Sequence, residues 1–121
     1  MRHMTGDDFS RAILLGEQVS PNDLKIIGDV VIEGLNEKSR LFLEDLNLDR
    51  VHIDGCVQIR NVVFSGYVSF WLTTMNGTAF IFENIKIDGN YSEMGGLLKM
   101  VKSGCNVRVA NISFSGEQQF N

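Results

Sequence analysis

Along this chain apolar and polar residues alternate over three positions, slip by one, and alternate again, and the figure occurs five times. The copies run from Lys25 to Gly34, Leu41 to Arg50, Val57 to Gly66, Phe80 to Gly89 and Val107 to Gly116. All fit one ten-residue template: apolar, any, apolar, any, Asx, apolar, any, apolar, acid or Ser, then Gly, with Arg50 standing in for Gly in the second copy. A single strand that slipped by one residue would turn its apolar side chains to the opposite face. The slip therefore predicts two short strands joined by a sharp bend. That bend holds Asp29, Asp45, Asn61, Asn84 or Asn111, and Asn and Asp are the residues besides Gly that best tolerate left-handed backbone. Among the inward slots only Lys25 is polar.

A unit that turns a corner and recurs cannot bury its face alone, so it stacks on its own copies. The copies start at 25, 41, 57, 80 and 107, at intervals of 16, 16, 23 and 27 residues. Such irregularity argues against helical repeats of fixed length and suits a solenoid whose coils share strands and differ in their loops. The stretches Val107-Arg108-Val109-Ala110-Asn111-Ile112-Ser113-Phe114-Ser115-Gly116 and Phe80-Ile81-Phe82-Glu83-Asn84-Ile85-Lys86-Ile87-Asp88-Gly89 resemble coils of the right-handed parallel β-helix of pectate-lyase-like proteins and phage tailspikes. The resemblance spans residues 25–116. It implies an all-β, right-handed parallel β-helix of about five short coils, with an internal asparagine ladder at the bend. It implies little about activity, because the motif is structural and is shared by proteins of many functions.

Ahead of the repeats, residues 5–24 are expected to form a cap helix and a linker. Thr5 followed by Asp8 is a capping-box-like start, Asp7 and Asp8 suit the positive end of the dipole, and Gly16 suits the stop. Phe9, Ala12 and Ile13 share one face, which fits a helix laid across an open solenoid end. Val19 to Asp23 form the linker, with the only proline, Pro21. Residues 1–4 look like an added leader before a native start near Met4, and 117–121 form a short tail.

At 121 residues with 44% apolar content the chain fits one domain with an ample core. A net charge of −4 with scattered basic residues argues against nucleic acid as a partner. A DNA-mimicking inhibitor would need its acids gathered on one face. No apolar run reaches the ~20 residues needed to cross a bilayer, no signal peptide opens the chain, and a cytoplasmic setting in a bacterial or host cell is expected without a membrane partner. Cys56 and Cys105 read as inert thiols rather than a disulfide framework.

Two insertions follow Gly66, one from Tyr67 to Thr78 with a turn at Asn76-Gly77 and one from Asn90 to Gly104. They carry the expected binding patch of Tyr67, Trp71, Met75, Tyr91 and Met94, either as a protein-binding surface or as a sugar-stacking platform. The alternative is that Trp71 and Leu98 plug the core where the coil widens.

Candidate chemistry is sparse. Zinc, phosphate-loop, nucleophile-elbow and EF-hand motifs are all missing. His52 beside Asp54 lacks a nucleophile at recognisable spacing. The acids expected to face outward are Glu33, Asp49, Asp54, Glu83, Asp88 and Glu93, and Glu33, Asp49 and Asp88 share the ninth slot, where they would form a broken column. The glycosylation sequons at Asn76, Asn90 and Asn111 read as accidental, because Asn111 belongs to the internal ladder.

The expectation is therefore a non-catalytic binding or assembly module, virus-encoded or a bacterial effector, with no cofactor and no metal. Its partner is a protein or a second copy in an end-to-end homodimer, joined through Val109, Ile112, Phe114 and Phe120 at the last coil. The alternative is a carbohydrate-binding or carbohydrate-cleaving fragment of a tailspike-like protein.

Overall fold

The computed structural model describes residues 1–94, the side chain of Met94 excepted, and residues 105–120. They form a parallel β-solenoid of about five turns with one short helix. The remainder of the second insertion, with Leu98, lies outside the described residues.

Three parallel sheets make up the walls. The first stacks β1 (Arg2–Thr5), β2 (Leu24–Ile27), β6 (His52–Asp54) and β9 (Thr74–Met75). The second stacks β3 (Val30–Glu33), β7 (Val57–Phe64), β10 (Ala79–Ile87) and β12 (Asn106–Phe114), with β4 (Leu41–Leu43) pairing to the second half of β7. The third stacks β5 (Leu46–Asn47), β8 (Val68–Trp71), β11 (Tyr91–Met94) and β13 (Gln118–Phe120). The residues set aside as a leader thus supply β1, whose Arg2 to Thr5 pair with Leu24 to Ile27.

Three template copies stack as the pattern predicts, with Phe80 opposite both Val57 and Val107. The other two do not. Val30, not Lys25, stands opposite Val57, and Leu41 stands opposite Val62. The first rung of the second sheet is thus one copy, Val30–Glu33 plus Leu41–Leu43, interrupted by a loop at residues 35–40. The ten-residue template reads Val30 and Ile32 equally well in slots six and eight or in slots one and three, and the loop hid the difference. Lys25 pairs with His52 on the outer face of the first sheet, so the one polar exception marked the misread register. Asp29 and Asp45 serve as corner residues, accepting at Oδ1 from the backbone N–H of Cys56 (2.8 Å) and of Tyr67 (3.0 Å).

The asparagine ladder has three members. Asn61, Asn84 and Asn111 sit at φ of 57°, 56° and 56°, the left-handed region that makes slot five a bend within one strand. Asn111 donates to Asn84 (2.7 Å), Asn84 to Asn61 (3.0 Å), and Asn61 to the Gly34 carbonyl (3.2 Å). Gly66, Gly89 and Gly116 close the same copies, and a β-carbon on Gly89 would lie 2.2 Å from the Gly66 carbonyl oxygen. Only glycine lets the coils approach so closely there.

Inside, Val30, Ile32, Leu46, Ile59, Val62, Phe64 and Ile87 are fully buried, each contributing about 1.5 to 3 kcal/mol of transfer free energy before the entropy of ordering. Phe70 meets Phe80 and Phe82 edge-on at 6.2 and 5.8 Å. At the N-terminal end lies α1 (Gly6–Leu14), capped by Thr5 Oγ1, which accepts from the Asp8 N–H at 3.0 Å. It ends in a Schellman turn: Gly16 at φ 74° donates to Ile13 and Glu17 to Ala12. Phe9 and Ile13 join the core, so the helix is a lid on the first turn.

Candidate functional site

The two ends of the solenoid differ. At the N-terminal end α1 covers β3, and Ser10 Oγ accepts the Val31 N–H at 3.2 Å. At the C-terminal end β12 and β13 are the last strands of their sheets among the described residues. The inward side chains there are uncovered: Val109 is 44% and Phe120 56% exposed, and Ile112 and Phe114 are half-buried. Their counterparts one rung earlier, Phe82 and Ile85, are buried.

Three aromatic rings gather at this end. Tyr91 lies 5.1 Å from Phe114 and 5.4 Å from Phe120, and those two meet edge-on at 6.2 Å. Glu93, expected on the outside, is buried beside them. It stands opposite Phe70 and Phe120 in register, and two residues after inward Tyr91 a strand returns to the same face. The Tyr91 hydroxyl donates to Glu93 Oε1 at 3.3 Å. Burial, reinforced by the neighbouring carboxylate, pushes the Tyr91 phenol far above its ordinary range.

The expected loop patch is not assembled. Met75 and Tyr91 are core residues, because the insertions continue the strands of the first and third sheets and both fall in inward register. Tyr67 and Trp71 do face outward, on the third sheet. Tyr67 Oη accepts from Asn47 Nδ2 at 3.3 Å, and the Trp71 indole N–H donates to Ser92 Oγ. Asp49 is spent on this face, accepting from Ser69 Oγ (2.5 Å) and the Trp71 N–H (3.0 Å).

The remaining acids do not converge. On the outer face of the second sheet Arg60 donates to Glu33 at 2.7 Å and to Glu83 at 2.8 Å, and Arg108 binds the second oxygen of Glu83. Glu33, Arg60, Glu83 and Arg108 thus form a ladder of alternating charge across four strands. The hydrogen bonds from Arg108 and Arg60 hold the Glu83 carboxyl below its ordinary range, and the bond to Glu83 raises Arg60. The ninth-slot column is Ser65, Asp88 and Ser115, with Glu44 beside it in the interrupted copy; Glu33 and Asp49 stand elsewhere, as the corrected register requires. His52 Nδ1 meets Thr74 Oγ1 at 2.8 Å and Asp54 accepts from Asn76 at 3.0 Å, so each bonds the next rung rather than the other. Among the described residues no group of three His, Cys, Asp or Glu is placed to hold a metal ion. Cys56 and Cys105 are free thiols, and burial raises Cys105.

A groove of about 270 Å³ opens at the other end, between the linker and the corner joining β4 to β5. Ile13, Glu17, Val19 and Pro21 line it from the helix and linker, and Glu44, Asp45 and Tyr67 from the corner. No helix of the described residues is long and apolar enough to cross a membrane. Neither protein-family models, nor curated proteins, nor solved structures give a match to this chain, so its function has to be argued from its own side chains.

Proposed function

We propose that this chain is a non-catalytic β-helix module that acts by association, and that its partner at the C-terminal end is a second copy of itself. The observation that carries this reading is the exposure of Val109 and Phe120 in slots whose counterparts in earlier rungs are buried. An uncovered apolar end flanked by two strands that have no outer partner among the described residues is a template for another chain. Because α1 lies across β3 at the opposite end, a second copy cannot stack squarely on that end as a further full coil. Contact between two C-terminal ends is isologous and stops at a dimer.

The outer acids fit this reading better than they fit a nucleic-acid mimic, since Glu33 and Glu83 are neutralised by Arg60 and Arg108. The second reading, carbohydrate binding, is favoured by one feature: Tyr67, just before β8, is exposed, and Trp71, at the end of that strand, is half-buried. Light scattering across a concentration series separates the two. The association reading expects a dimer that Val109→Glu converts to a monomer with unchanged far-ultraviolet β signal. A monomer at all concentrations, with Trp71 fluorescence responding to oligosaccharides, would replace it with the carbohydrate reading.

A further inference from the structure

The first rung has an uncovered half. Both β3 and β4 pair with β7 on one side, and on the other side α1 lies against β3. The lid stops there: no strand pairs with the free edge of β4 among the described residues. In a parallel strand successive residues point their backbone groups to opposite neighbours. Leu43 gives its carbonyl to the Ser65 N–H of the next rung, so the N–H and C=O of Phe42 face away from β7. On β3 the equivalent N–H, that of Val31, is taken by Ser10 Oγ. No side chain does this for Phe42 among the described residues, and the Phe42 ring is 80% exposed.

The chain passes from β4 straight to the lining of the groove. Glu44 and Asp45 follow β4 and are among the groove's lining residues, as is Glu17 from the linker. At a strand rise of about 3.3 Å per residue the groove begins about 7 Å beyond Phe42. Its lining holds three carboxylates and no basic side chain, beside the Tyr67 ring and the apolar Val19.

We propose that this N-terminal edge binds an extended basic peptide segment of a partner protein, which pairs with the backbone of Phe42 and places a lysine or arginine in the groove. Main-chain pairing to a sheet edge supplies affinity without sequence demands, and the neighbouring pocket supplies specificity for alternate side chains. The charge of the groove selects a cation, and a ring at its wall favours one further. The exposed Phe42 ring packs on the peptide's outer face. This surface is at the opposite end from the proposed dimer contact, so the module would join two basic segments, one at each end of the dimer.

The test is fluorescence anisotropy with a fluorescein-labelled octapeptide of alternating valine and lysine. Saturable binding is expected, weakened at least about tenfold in a Glu17→Lys/Glu44→Lys variant and similarly when the peptide's backbone nitrogens are methylated. Val109→Glu, at the far end, should bind as the unaltered chain does. Equal affinity for the charge-reversed variant, equal binding of a valine and glutamate peptide, or loss of binding in Val109→Glu would each overturn the proposal. So would the absence of saturable binding to the unaltered chain. The result is independent of whether the chain dimerises.

Discussion

Asn84 is bound on both sides by its own kind: its Nδ2 donates to Asn61 at 3.0 Å while its Oδ1 accepts from Asn111 at 2.7 Å. The bend in each of three strands is therefore tied to the bend in the next, and the corner of the solenoid is held by side chains as well as by the sheet.

Replacing this residue separates two contributions. Asn84→Ala loses both amide bonds and puts at φ 56° a residue that tolerates left-handed backbone less well than asparagine does, a combined cost of about 1 to 3 kcal/mol. Asn84→Gly loses the bonds but relieves the backbone, so it should cost less than the alanine change. Urea unfolding of the two variants measures the order. An alanine variant as stable as the glycine variant would show that the left-handed backbone matters little here.

The charge ladder should make stability depend on pH. Glu83 is held below its ordinary value of 4.5 by Arg108 and Arg60, so folding favours its ionised form. The folded chain then binds fewer protons than the unfolded one in this range, and the contribution is complete above 4.5 and lost as the pH falls through the lower folded value. Since Arg108 is largely exposed, solvent screens its part, and the whole effect should not exceed about 1 kcal/mol per pair. The unaltered chain is expected to lose more stability than Glu83→Gln as the pH falls below 4.5. Parallel pH profiles of the urea midpoint for the two chains would deny the ladder a role.

Much of this architecture was legible in the alternation of side chains, and the reasons it was not wholly so are physical. The copies at Val57, Phe80 and Val107 stack in one register because nothing interrupts them. The first copy is cut at Gly34, whose neighbour in space is Leu41, so a loop within the bend looked like a boundary between two repeats. A period of two has no memory of where it began, and Val30 and Ile32 fit either phase. Tyr91 and Met75 were misplaced for a different reason: irregular sequence between copies resembled surface loop, yet its strands complete the first and third sheets. The groove and the free edge of β4 arise from which part of the first rung α1 lies across, which no local pattern records.

Ser10 offers the sharpest test of how α1 closes the solenoid. Its hydroxyl donates to the Gly6 carbonyl at 2.8 Å and accepts the Val31 N–H at 3.2 Å, so a single buried oxygen finishes an edge that would otherwise need another strand. Ser10→Ala changes the volume little and slightly raises the helix propensity, but leaves the Val31 N–H unsatisfied under the lid, at a cost of about 1 to 3 kcal/mol. Native-state hydrogen exchange should show the Val31 amide losing protection well beyond that of the amides in β7. Were Val31 exchange unchanged in the variant, the helix would be closing the end by the packing of Phe9 and Ile13 alone. The exposed edge at Phe42 would then be no weaker than the covered one at Val31.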